Sequence, residues 1–381
     1  MNALIQEVAQ RFPLIARPRP ACLPLQARVD ELRDLAAAAS QGTEASHLAL
    51  AAEAMNKAAL IASDCGVTAL ARSLCWRHFS AYLRAWPLNA PCARRALEPL
   101  VNLARLAIRE HDGSRGYLLL NDLFHAVSTG GTADIDGHHI PFAGFTRSEE
   151  DLRVARKWLW GVFVAEGIRA LISAGQWDQA VAHAEQHRGV GQRLLDGRQA
   201  AILARCLDGQ TDIALKLVAD SKPLQAWEHS VGSCLELLCN RAAARADSDM
   251  AVEVQRQFLE LDATPELLVF RTRLGLAIVD LTVDTTWFSA KRVFVSLISD
   301  VLASANGYVA QDVLAHHRSR HLLSLAEQHE LISVVQQAGL GLSAIPASVM
   351  SDIFSAVKVS ETAIEARLNV PTKIVNRPVP T

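Results

Sequence analysis

Nowhere in the chain do eighteen uncharged apolar residues run together, so no membrane-spanning helix is expected. The opening stretch, MNALIQEVAQRFPLIARPRP, lacks a positive start followed by an unbroken apolar run, and no secretory leader is read there. Cys-x-x-Cys pairs are also missing. The seven cysteines (Cys22, Cys65, Cys75, Cys92, Cys206, Cys234 and Cys239) are odd in number and scattered. A chain of this length can fold without disulfide staples, so they are expected as reduced thiols packed in helices. There is no basic excess: 38 Lys and Arg face 40 Asp and Glu, giving a formal charge of −2 and an isoelectric point near 6.7. Such a balance supplies no field to draw in a phosphate backbone or an anionic lipid surface. These absences predict a soluble cytoplasmic protein with neither membrane nor nucleic acid as its default partner.

What is present is apolar. Half of the 381 residues are hydrophobic, only 6% are aromatic and 20% are charged, which suits a large core built from Ala and Leu. From EASHLALAAEAMNKAALIAS to about Ser351 the apolar residues recur at three- and four-residue spacing, and β-branched runs are scarce. Breaks fall at Gly66, AWPLNAPC, HDGSRG, Gly175, RGVG, Gly209, ADSD and ANG, leaving helices of ten to twenty residues. This is the rhythm of stacked helical hairpins, and it predicts an all-α chain. One stretch interrupts it. Between Ser128 and Asp151, Gly130-Gly131 and the Asp136-Gly137 turn, flanked by TADI and HHIPF, predict a loop carrying a small β-hairpin. The expected organisation is an N-terminal cap at 1–45, helical hairpins at 46–127, the insertion at 128–151, regular repeats at 152–262 and further hairpins at 263–350. Residues 351–381 are expected to form a helix pair, broken at Val359-Ser360 with Ser360 capping the second helix, and then an extended tail.

A short signature recurs inside the regular region. AGQWDQAVAHAEQH begins at Ala174 and DGQTDIALKLVADS at Asp208, so that Gly175 and Gly209 are 34 residues apart, as are Ala180 and Ala214. A degenerate third copy places Asp249 and Ala251 37 residues after Asp212 and Ala214. Each residue has a physical reason. Glycine ends a helix where a left-handed conformation is needed. Asp178 and Asp212 suit the positive start of the following helix. Ala180 and Ala214 are small where two helices approach closely. This pattern resembles the tetratricopeptide repeat (TPR), whose helix-turn-helix units stack into an α-solenoid. The resemblance is firm over about 150–262, lacks the terminal proline of the repeat, and implies a TPR-like array of about eight hairpins. It also implies that the first helix of each hairpin lines a groove, which assigns Arg169, then Asp196 and Gln199, then Glu236 and Asn240 as binding residues. A groove with both charge signs and amides suits an extended peptide or a partner helix. The abundance of Ala, Leu, Arg and His suits high-GC bacterial coding of actinobacterial type.

Other constellations have plainer readings beside the chemical ones. AHHRSRHLLSLAEQHE sets His317 and His321 one helical turn apart, with His316 and His329 nearby, a spacing that can ligate zinc but without the glutamate of H-E-x-x-H. DIDGHH gathers Asp134, Asp136, His138 and His139, although strand alternation sends neighbours to opposite sides. HRGVGQR (187–193) contains Gly-x-Gly but follows a helix, so neither phosphate-loop context holds. Trp158 and Trp160 in RKWLWGVF read as inter-helix packing or as partner anchors. No nucleophile elbow or cofactor motif is present. The expected function is a non-enzymatic adaptor or regulatory scaffold that binds a protein or peptide, takes no cofactor or metal and can self-associate. The alternatives are an enzyme subunit with a histidine-based metal site, and a regulator contacting DNA through 351–370.

Overall fold

The three- and four-residue apolar spacing sets almost every element, and the chain is predominantly α-helical. The computed structural model describes residues 3–41, 45–284 and 286–368. In chain order the helices are α1 (Ala3–Ala9), α2 (Leu25–Ser40), α3 (Ala45–Asp64), α4 (Thr68–Leu83), α5 (Ala90–Arg109) and α6 (Gly113–Thr129). A hairpin of β1 (Thr132–Ile135) and β2 (His138–Pro141) follows, then α7 (Glu149–Ser173), α8 (Trp177–Gln186), α9 (Asp196–Leu207), α10 (Thr211–Ala219), α11 (Ala226–Ala242) and α12 (Ser248–Leu259). The last are α13 (Leu268–Thr282), α14 (Trp287–Ser304), α15 (Gly307–Ala315), α16 (Ser319–Leu322), α17 (Leu325–Gln337) and α18 (Ala347–Arg367). None of these helices is long and apolar enough to cross a membrane.

Packing divides the chain into two units that interleave in sequence. The first joins the described residues of Met1–Pro24 to those of Gly175–Ala338; the second joins those of Leu25–Ala174 to those of Gly339–Thr381. The N-terminal stretch at 1–45 is therefore not one cap: Pro24 ends its share in the first unit and α2 begins the second.

In the second unit, α2 to α7 pack each against the next, and α18 returns to lie on α2, α3 and α4. Leu32, Met55, Leu74, Phe79, Leu97, Ile353 and Val357 are among its fully buried side chains. The return of α18 is also held by polar contacts. Arg77 Nη2 donates to Glu361 at 2.6 Å, Arg84 pairs with Glu365, and Arg367 Nη2 donates to the Ala39 carbonyl at 2.6 Å. Here the sequence expectation fails, because residues 351–367 form one continuous helix. Val359-Ser360 is no break: Ser360 is fully buried and its hydroxyl turns back to the Ala356 carbonyl at 2.9 Å, a bond that lets serine sit inside a helix. The expected tail lies outside the described residues.

The insertion does carry a two-stranded antiparallel hairpin, turning at Asp136 (φ 54°) and Gly137 (φ 80°). Its apolar face, Ala133, Ile135 and Ile140, is buried with Phe142 and Phe145.

In the first unit, α8 packs on α9, α9 on α10, α10 on α11 and α11 on α12. Ala180, Ala214 and Ala251, the small residues of the repeated signature, are at most 1% exposed. The turn residues make the third copy clearer than the sequence did. Gly209 sits at φ 78° and donates to the Cys206 carbonyl, while Gln210 N reaches back to the Arg205 carbonyl at 2.8 Å. After α11 the same bonds recur from Ala244 to Arg241 and from Arg245 to Asn240, with Ala244 at φ 56°. The third turn therefore falls at Ala244, and α12 starts late, capped by the Asp247 carboxylate on Met250 N at 2.9 Å. Asp178 and Asp212 lie in the first turns of α8 and α10 without capping them, so their carboxylates act through the helix dipole.

A left-handed alanine costs about 1 kcal/mol where glycine costs nothing. Ala244→Gly should therefore raise the urea midpoint of the first unit, and Gly209→Ala should lower it by a similar free energy of about 1 kcal/mol.

Candidate functional site

The five residues expected to line a groove have different surroundings. Arg169 belongs to the second unit, where its guanidinium donates to Glu166 at 3.0 Å, and Arg105 donates to the same carboxylate at 2.9 Å. Glu236 is exposed on α11, and Asn240 Nδ2, one turn on, donates to the Glu236 carbonyl at 3.0 Å. Asp196 and Gln199 depart most from expectation. They are buried, because the chain's own N-terminal segment lies on them.

That segment is held by its backbone. Leu14 N donates to Gln199 Oε1 at 2.7 Å, and Gln199 Nε2 donates back to the Leu14 carbonyl at 2.9 Å and to the Leu194 carbonyl at 2.7 Å. One carboxamide thus satisfies both peptide groups of a passing residue, as an edge strand would. Three residues on, Arg17 pairs with Asp196, the first residue of α9, whose charge also suits the positive helix start. Further along, Arg19 N donates to the Glu266 carbonyl at 3.0 Å. Cys22 N donates to Asn306 Oδ1 at 3.1 Å, while its carbonyl accepts from Gly307 N at 2.8 Å. Pro18, Pro20 and Pro24 suit such a path, since proline needs no partner for a missing amide and resists helix. Apolar burial supplies the rest: Ile5, Val8, Phe12 and Leu14 are at most 3% exposed, which contributes on the order of 8 kcal/mol.

At the start of the track α1 closes over a polar hub. Asp280 is fully buried on α13, a helix whose other residues are almost all buried. Its Oδ1 lies 2.9 Å from His316 Nε2 and 3.7 Å from His317 Nε2, and its Oδ2 accepts from Arg11 at 3.0 Å. Glu7 Oε1 lies 2.9 Å from His317 Nδ1. Arg318 stands 3.6 Å from Asp280 and 3.5 Å from Asp284. Burial pushes the Asp280 carboxyl up, but the hydrogen bond from His316 and the neighbouring His316, Arg11 and His317 charges outweigh it and hold it below its ordinary value. The one-turn spacing of His317 and His321 does not lie on one helix, since His321 is in α16 and His317 precedes it. Helix α15 ends at Ala315 and the next residue, His316, takes an extended conformation (ψ 127°), so His317 precedes the short α16 and turns toward Asp280. Among the described residues, Asp280, His316 and His317 are the one group of three whose ligand atoms converge closely enough to hold a metal ion. A signal for this hub was present in the sequence: a single carboxylate in LGLAIVDLT, with no polar face, must find a partner inside the protein.

The other sequence candidates are held in local contacts or lie at the surface. Asp136 is bound by Arg72 at 2.6 Å and Arg115 at 2.5 Å, and these bonds hold its carboxyl below the ordinary range against the opposing effect of burial. His138 stacks on Trp76 with ring centroids 4.1 Å apart, and Asp134 accepts from Gly137 N within the turn. In the 187–193 loop, the Arg193 guanidinium is bound by the fully buried Glu228 at 2.6 Å. Trp158 carries Arg94 over its ring at 5.4 Å, and Trp160 is partly exposed. Comparison with family models, with curated proteins and with solved structures finds no match to this chain.

Two outcomes follow. Gln199→Leu keeps the volume but strips partners from Leu14 and Leu194, each buried orphan costing about 1–3 kcal/mol, so urea unfolding should show the first unit weakened by about 3 kcal/mol. Because the folded-state value of Asp280 is depressed, its ionisation contributes stability that is fully present above about pH 4 and is lost as pH falls through the lower folded value. The protection of the amides of residues 3–24, measured against the intrinsic exchange rate at each pH, should fall on acidification through that window, and Asp280→Asn should remove that pH dependence.

Proposed function

We propose that this protein is a non-enzymatic adaptor or regulatory scaffold, built from TPR-like helical hairpins, whose first unit grips an extended peptide. The observation that carries the reading is the hold of Gln199 on both backbone groups of Leu14. A carboxamide that pairs with any passing peptide unit is indifferent to the side chain there, so it recognises an extended backbone as such. Asp196 adds a preference for arginine three residues later, and the burial of Phe12 and Leu14 adds two apolar requirements. The ligand class is therefore an extended segment of the form apolar–Pro–apolar with a basic residue three places on, as in FPLIAR at 12–17. The turns at Gly175, Gly209 and Ala244, spaced by 34 and 35 residues, and the buried alanines after them support the repeat architecture.

The chain's own segment holds this surface with the advantage of attachment, since tethering gives it a millimolar-scale effective concentration. A partner segment therefore acts by exchange. The test is a synthetic peptide of residues 10–19 bearing a photo-cross-linker at the position of Leu14, incubated with the full chain. Adducts should map to α9 and fall at least tenfold in Gln199→Leu. Adducts scattered over the surface, or unaffected by that substitution, would rule the reading out.

A further inference from the structure

We infer that Asp280, His316 and His317 form a binding site for one divalent transition ion of the zinc class, with Glu7 of α1 as the outer partner of His317. The donor set is two imidazole nitrogens and one carboxylate oxygen, a combination that suits zinc and its neighbours and leaves a fourth position for water. The three ligand atoms lie within 4.8 Å of one another. Donors about 2.0–2.1 Å from a shared tetrahedral ion stand roughly 3.4 Å apart. The separations of Asp280 Oδ1 from His316 Nε2, 2.9 Å, and from His317 Nε2, 3.7 Å, bracket that value.

An independent feature points the same way. Metal-bound histidine characteristically gives its other ring N–H to a carboxylate, which fixes the tautomer with the free nitrogen toward the ion. Glu7 Oε1 stands 2.9 Å from His317 Nδ1, so Nε2 is the nitrogen left facing Asp280. Arg11 holds Oδ2 of Asp280, the oxygen that the ion does not need. The fixed charges permit a cation: Glu7, Asp280 and Asp284 against Arg11 and Arg318 leave one net negative charge around the two imidazoles. Arg318, 3.6 Å from Asp280 Oδ1, has Asp284 as its alternative partner at 3.5 Å. Exposure supplies the route in, since the His317 side chain is 42% accessible while Asp280 and His316 are sealed.

The site couples the ion to the N-terminal helix. Binding at His317 strengthens its bond to Glu7, and Glu7 lies on α1, so metal should slow the opening of residues 3–9. This inference is independent of the peptide reading, because metal can bind whether or not the segment exchanges.

The experiment is titration of the full-length, chelator-stripped protein with Zn2+, followed by metal analysis after dialysis and by amide exchange of α1. One Zn2+ per chain should be retained, with slower exchange at Ile5, Val8 and Ala9. His317→Ala, at a half-exposed position the fold tolerates, should abolish retention, and Glu7→Gln should weaken binding about 10- to 100-fold. Substitution of the exposed His321 and His329 should change nothing. Failure to retain zinc above the His317→Ala level, or retention removed by the His321 and His329 substitutions instead, overturns the site.

Discussion

Everything in the first unit is organised around a peptide group that is not its helices' own. Leu14 lies 185 residues before Gln199, and the carboxamide between them replaces the two hydrogen bonds that water would otherwise make. An extended backbone can be buried only if each amide and carbonyl finds such a partner. Gln199, Glu266, Asn306 and Gly307 provide them in order along the track, and the prolines remove the donors that would have none. The rest of the track follows from that constraint. Asp196 is buried because Arg17 neutralises it, and Asp280 is tolerated on an otherwise buried helix because Arg11 and His316 converge on it.

The same arrangement fixes the order of the chain. Residues 1–24 contribute to one unit, 25–174 make most of the other, and the path returns at Gly175 to complete the first. Gln199 and Leu14 therefore lie on opposite sides of Gly175, and a chain truncated there leaves Ile5, Val8 and Phe12 without the residues that bury them. The second unit has an analogous dependence, since α18 closes it from the far end of the chain through Glu361, Glu365 and Arg367.

Local grammar was readable in the sequence and distant partnership was not. The glycine turns, the Asp136-Gly137 hairpin and the helical rhythm depend on residues within a few positions of one another. The third turn was obscured because alanine stands where glycine was sought, and the left-handed conformation of Ala244 is imposed by its neighbours. Ser360 follows the pattern of a cap because serine usually is one; burial between helices gives its hydroxyl a backbone acceptor instead. The repeat resemblance assigns Asp196 and Gln199 to an open groove, whereas both are buried. Their partners, at Arg17 and Leu14, are too far away in sequence for any periodicity to reveal. The histidines show the same limit, since His317 faces Asp280 only because the helix ends at Ala315 and His316 is extended.

The central claim is that residues 12–22 are an integral, backbone-gripped part of the first unit. Native-state hydrogen exchange of the Leu14 amide tests it most directly. The account predicts that this amide exchanges as slowly as those of the α9 interior, such as Ile202 and Leu203, and together with them. Exchange at the rate of an unprotected peptide, while α9 stays protected, would contradict it.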